Sequence, residues 1–265
     1  ASSFYRKFED VKNDILDLSS TSKSLFILLA LNLFFFWRKN LFEILTTENL
    51  AGRDLVANYA FARIFDSLSG ISGWSYQWFM GFPAFNFYPP FFFIVVKALN
   101  TISFNVFDIS LSFRIITFLS LFMIPFSAYY CVKKLGFQEL ENFFVGIFAA
   151  YYIFVPELYS ITLQALKEGL IVQVFTLNLF LLFLPLLWNV ETKKDLITPS
   201  ILLGIILMSH PFIGVLALVS LILKSIIKRK NLIYDLIIGF TGIFISLLWL
   251  HNLLWSNYTQ FYQIG

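Results

Sequence analysis

Apolar residues fall along this chain in long unbroken runs separated by short polar stretches. A helix needs about 20 mostly apolar residues to cross the hydrocarbon of a bilayer. Runs of about that length are predicted from about Ser22 to Leu41 and at about 88–104, 112–132, 141–158, 168–188, 197–223 and 232–255. The runs are continuous rather than alternating, which excludes the ten-residue strands of a membrane barrel. The pattern predicts an all-α, polytopic protein of about seven transmembrane helices.

Two stretches break the pattern. Residues 1–21 carry mixed charge, with Phe4, Phe8, Val11, Ile15 and Leu18 at spacings of three and four, and read as an amphipathic helix on the membrane surface. Residues 42–87 form a long first loop, expected on the extracytoplasmic side and holding Glu43, Arg53, Asp54, Arg63 and Asp66 among several glycines. Within it 54–68 predicts an interfacial amphipathic helix, and Trp74 and Trp78 serve as interface anchors. The organisation is thus a surface helix over 1–21 and a transmembrane module over 22–265. Pro211 is expected to break the 197–223 segment, and Pro125, Pro156 and Pro185 to kink three others.

Composition agrees. Of 265 residues, 58% are hydrophobic and only 13% charged, against about 25% charged in soluble domains. The mean hydropathy is +0.77. A net charge of +3 gives no reason to invoke nucleic acid. The one cysteine, Cys131, reads as a small core residue. Cations divide almost evenly between the two sides; the cluster Lys224, Lys228, Arg229 and Lys230 gives a weak vote for a cytoplasmic N-terminus. The 34 Phe, 12 Tyr and 6 Trp, 20% of the chain, reflect either biased genome composition or a wide apolar surface that packs against long lipid chains. The chain begins Ala1-Ser2-Ser3 and ends Gln263-Ile264-Gly265 just after an apolar run, so a C-terminal continuation is expected.

The most specific pattern lies in the long loop and the segment after it: Gly52-Arg53-Asp54, then Trp74, then Trp78-Phe79-Met80-Gly81-Phe82-Pro83, then Phe87-Tyr88-Pro89-Pro90. Pro is favoured in the first turn of a helix, so Tyr88-Pro89-Pro90 reads as a rigid loop-to-helix junction. Further on stand Lys133-Lys134-Leu135-Gly136-Phe137, Lys167-Glu168-Gly169 and Ser209-His210-Pro211. In this order the motifs resemble the membrane module of the C-type glycosyltransferase superfamily, GT-C. They are most similar to its archaeal and bacterial multi-spanning members of the 6-pyruvoyl-tetrahydropterin-synthase-related membrane protein type.

The resemblance implies a sugar transferase that uses a polyprenyl-phosphate-linked donor, with its active site in the first extracytoplasmic loop. It implies Asp54 as catalytic base or as ligand of a divalent cation, Mg2+ or Mn2+. Arg53, Trp78, Tyr88, Lys167, Glu168 and His210 are the implied substrate-binding residues. Membrane lipid, the lipid-linked sugar and further membrane subunits are the expected partners, and the plasma membrane of an archaeon or bacterium the expected location. The residues alone leave alternatives open. Asp54 also reads as a cap of the helix that starts there, and Lys167-Glu168 as an interfacial ion pair. His210 also reads as a structural residue at a Pro break. Arg53, Arg63 and Arg114 are candidates for phosphate contact, with snorkelling the other reading for Arg114 and for Lys97. At the level of the whole protein the competing readings are a non-catalytic membrane subunit and a transporter.

Overall fold

The computed structural model describes residues 21–46, 53–77, 81–86, 88–154, 166, 168–228 and 231–255, with 53, 151–154 and 253–255 described for backbone alone. Of the expected surface helix only Thr21 is described. Helix α1 occupies 21–38 and a single turn, α2, Glu43–Thr46. The helix expected at 54–68 is α3, Arg53–Ser67. Next come the short strands β1, Gly73–Ser75, and β2, Phe82–Ala84. The remaining helices are α4, Phe91–Ile102; α5, Ile109–Phe122; α6, Ile124–Lys134; α7, Glu139–Phe154; α8, Ile171–Trp188; α9, Ile197–Leu207; α10, Pro211–Ile227; and α11, Leu232–Trp255.

The hairpin corrects the all-helical expectation. β1 and β2 pair antiparallel, with Trp74 opposite Pro83; in a two-stranded ribbon both strands are edges, so the missing proline donor is tolerated. Gly81 has φ +105°, and a Cβ there would fall 2.4 Å from the Trp74 indole nitrogen. The Trp and Gly-x-Pro motif thus encodes this ribbon.

Ile171–Trp188 and Leu232–Asn252 are long and apolar enough to cross a membrane, and α5 with α6 form a third candidate, bent by 45°. The bend lies at Met123, just before Pro125 in the first turn of α6. Polar side chains from two other helices satisfy the carbonyls around it. Asn32 donates to Phe122 O at 2.9 Å. Asn178 donates to Ser120 O at 2.7 Å and accepts from Ser127 Oγ at 2.8 Å. In an apolar surrounding, such partners replace the water that would otherwise solvate a broken helix. The expected 197–223 segment is likewise divided, at 208–210, with Pro211 opening α10.

Helix α8 joins two apolar cores. Its first half (Ile171, Val172, Val174) packs with Leu55, Phe85, Phe92, Phe93 and Phe113 around α3, α4 and α5. Its second half (Phe183, Leu187) packs with Leu203, Ile213, Ala217 and Ile238 from α9, α10 and α11. Outward faces stay apolar: Phe26, Phe144, Phe212, Phe240 and Phe244 are all exposed, as on a lipid-facing surface.

Several cations have fold-internal partners. The Lys97 ammonium donates to the carbonyls of Asp66 and Leu68 at 2.9 and 3.1 Å, capping the C-terminus of α3, where a positive charge is favoured. Arg114, buried, donates to Leu45 O at 3.1 Å and to Ser110 O at 3.3 Å, so its guanidinium closes α2 instead of facing a phosphate. Lys224 is 1% exposed and forms a buried ion pair with Asp235, which also accepts from Ser225 Oγ. Lys224 is therefore a packing element of the α10–α11 contact and drops out of the basic cluster that favoured a cytoplasmic N-terminus.

Candidate functional site

Three distant segments meet at the start of α8. The first three turns of α3 present Asp54, Ala57, Asn58 and Phe61. The junction before α4 brings Tyr88, and the start of α8 brings Gly169, Leu170, Val172 and Gln173. His210 comes from the break between α9 and α10. Together these residues line a cavity of about 240 Å3.

Local chemistry explains the meeting. Pro89 and Pro90 have no backbone donors, so the first free N–H of that junction belongs to Phe91. It donates to Met208 O at 3.1 Å, which fastens the start of α4 to the break at 208–210. Asn58, 4% exposed, uses both ends of its amide. Its nitrogen donates to Gly169 O at 2.6 Å, and its oxygen accepts from the Tyr88 hydroxyl at 3.2 Å. Gly169 has φ +78°, and a Cβ there would lie 2.3 Å from Asp54 atoms. Only glycine lets the two helix starts touch at this point. Below, the Phe61 ring stacks on Tyr88 with centroids 5.2 Å apart and planes 5° from parallel. Phe85 and Phe93 complete an aromatic floor. Phe85 is buried with φ +61°, a costly conformation for a bulky residue. Its carbonyl accepts from the Trp249 indole at 2.8 Å, which holds it from α11.

The electrostatics are uneven. Burial first, and the negative charge of Asp54 second, push the Tyr88 hydroxyl up to about 12, so near neutral pH it remains a protonated donor. Burial pushes the His210 imidazole down from its ordinary value. Its Nδ1 is buried and has no hydrogen-bond partner among the described residues, a cost that an incoming ligand would relieve. Asp54 is exposed in the first turn of α3, where a carboxylate also favours the helix dipole.

Of the residues singled out from the sequence, the structure brings together Asp54, Tyr88 and His210. Glu168 is exposed beside Gly169. Trp78 and Lys167, together with the Arg53 side chain, lie outside the described residues. Arg63 is exposed and Arg114 is engaged elsewhere. Sequence reasoning missed Asn58, Phe61 and Gln173, which carry no motif; Gly169 was seen only as part of Lys167-Glu168-Gly169. Among the described residues no three His, Cys, Asp or Glu side chains converge as a metal site would require. Asp54, the carboxylate lining the cavity, fits a Mg2+ or Mn2+ ion held mainly by phosphate oxygens of a ligand.

A family model described as "6-pyruvoyl-tetrahydropterin synthase related domain; membrane protein" matches residues 85–263, more than half of the chain. The chain belongs to this family. Its membership makes the chain a membrane protein, in accord with the apolar helices and outward apolar faces. The part shared with the family covers Tyr88, Gly169, Gln173 and His210, whereas Asp54 and Asn58 lie before it. No curated protein and no solved structure matches the chain.

Proposed function

We propose that this protein is a membrane glycosyltransferase of the GT-C kind that takes a sugar from a polyprenyl-phosphate donor in the cavity at Asp54. One observation carries the reading. Asp54, Tyr88 and His210, each singled out by a motif and separated by up to 156 positions, line one cavity. In the transfer, an acceptor hydroxyl attacks the anomeric carbon. The carbon–oxygen bond to phosphate breaks, its electron pair leaves with the phosphate, and Asp54 takes the hydroxyl proton as general base. Protonated Tyr88 donates to the sugar or the phosphate, and the unpaired His210 nitrogen supplies a second polar contact. A divalent cation at Asp54 would add charge neutralisation of the phosphate.

The architecture that goes with this reading has seven membrane-crossing segments: α1, the bent α5–α6 pair, α7, α8, α9, α10 and α11. The short α4 stays on the side of α3, where the start of α8 and the 208–210 turn between α9 and α10 also lie; the opposite ends, 188–192 and 227–231, meet at the other face. The loop with α3 and the hairpin is then extracytoplasmic, in the plasma membrane of an archaeon or bacterium. A second reading is supported by the cavity having a single carboxylate among the described residues of its lining. It is that of a non-catalytic membrane subunit that keeps the module.

The test supplies the purified full chain with radiolabelled polyprenyl-phosphate sugar and membrane extract, wild type beside Asp54→Asn. The expected result is transfer by wild type and a loss of about 10²–10⁴-fold in the variant, the range for a general base. Transfer that survives Asp54→Asn overturns the assignment. Stable co-purification of other subunits with no transfer from any donor favours the subunit.

A further inference from the structure

A second cavity lies at the far end of α8. It has a volume of about 600 Å3 and is lined by Trp188, Glu191, Thr192, Ile227, Lys228 and Asn231, with Val190 behind. Cavities of this size accept small molecules. The candidate site above lies at the start of α8, and 18 residues of helix separate the two by about 27 Å at 1.5 Å per residue. The two cavities therefore belong to opposite faces of the molecule.

The surroundings are those of a membrane–water boundary. The last turn of α10, which leads to Lys228, carries the exposed apolar residues Leu223, Ile226 and Ile227. The turn that follows α8 carries the exposed polar residues Glu191, Thr192, Lys193, Lys194 and Asp195. Trp188 ends the apolar helix at the level where tryptophans anchor to headgroups. The Lys228 ammonium lies 5.4 Å from the centroid of the Trp188 ring and donates to Trp188 O at 3.0 Å. Two of its three protons remain for another acceptor. Asn231 spends its amide nitrogen on Val190 O at 3.0 Å.

Glu191 lines the same cavity and forms no ion pair among the described residues. Its backbone is held in place by the turn that follows: the side chain of Asp195 accepts from the backbone N–H groups of Glu191 and Thr192 at 3.2 and 2.7 Å. A cation and an anion thus share one cavity at an interface without pairing with each other.

We propose that this cavity binds a zwitterionic lipid headgroup that carries both a phosphate and a primary ammonium. Lys228 receives the phosphate, which a charge-assisted hydrogen bond favours. Glu191 accepts from the ammonium, and the acyl chains leave over Ile227 and Ile226. A quaternary ammonium has no N–H to donate to Glu191. A headgroup that bears only negative charge meets the Glu191 carboxylate as a repulsion.

The experiment incubates the purified full chain in detergent micelles with phosphatidylethanolamine, phosphatidylcholine or phosphatidylglycerol of identical acyl chains, and counts retained lipid by native mass spectrometry. Wild type is expected to retain phosphatidylethanolamine about tenfold over the other two, the scale of one extra charge-assisted hydrogen bond. Glu191→Gln should abolish that preference, and Lys228→Ala should lower retention of all three lipids. Lys228→Arg, which keeps the charge, should restore phosphate-dependent retention. Both side chains are exposed, and Lys228→Arg controls for the contacts with Trp188 that Lys228→Ala removes. Equal retention of phosphatidylcholine by wild type, or a preference that survives Glu191→Gln, overturns the proposal. So does stronger retention of phosphatidylglycerol, which marks an ordinary basic patch. None of these readouts depends on sugar transfer.

Discussion

The Tyr88 hydroxyl donates to the Asn58 amide oxygen at 3.2 Å, and the same amide donates to Gly169 O at 2.6 Å. One buried side chain from α3 thus ties together the segments that precede α4 and α8. Asn58→Leu leaves a buried carbonyl and a half-buried hydroxyl without partners, which costs about 1–3 kcal/mol. Thermal unfolding in detergent is expected to show a clear loss, with Tyr88→Phe costing less because the link to Gly169 survives. Equal losses in the two variants would show that the amide does not act as a common tie.

Gly169 and Gly136 form a matched pair for separating strain from crowding. Both have positive φ, +78° and +93°, but a Cβ at Gly136 meets nothing within 4 Å, whereas one at Gly169 meets Asp54 at 2.3 Å. Gly136→Ala should cost only the left-handed penalty, roughly 1–2 kcal/mol. Gly169→Ala should cost that and a further 1–3 kcal/mol or so of overpacking. The difference is read in unfolding midpoints, at roughly 2–4 °C per kcal/mol for a chain of this size.

His210 makes stability depend on pH in a defined direction. Its folded value is depressed below the ordinary 6.5 by burial. The unfolded chain therefore binds the proton first, and stability is lost as pH falls from about 6.5 toward the folded value. Below the folded value no further loss accrues from this group. Melting points of wild type and His210→Gln between pH 8 and 5 test this. Wild type should fall faster with acidity, and parallel curves would contradict the burial of the imidazole.

Lys224 and Asp235 are both 1% exposed and paired across α10 and α11. Asp235→Asn strands a buried ammonium and should cost about 3–5 kcal/mol, whereas Lys224→Met with Asp235→Leu should recover most of the loss. A double-mutant cycle on unfolding midpoints measures the coupling. Additive losses would show that the two charges act independently.

The apolar runs were enough to set the class of protein, because burial of a continuous twenty-residue stretch has few other solutions. The helix at 53–67, the Pro211 break and the bend near Pro125 were also legible, since they follow from local periodicity and from a missing backbone donor. Asp54, Tyr88 and His210 stood out because they sit in compact motifs. Nothing local could mark Asn58 or Gln173, whose roles come from partners more than a hundred positions away or from the wall of the cavity. Nor could local pattern tell that Trp74 and Gly81-Phe82-Pro83 build a ribbon, or that Lys97, Arg114 and Lys224 are held inside the fold. A cation's spacing along the chain looks the same whether it faces phosphate, a helix end or a buried carboxylate. Which of these it meets depends on how α3, α4, α8 and the 208–210 break pack, and only the tertiary structure decides that.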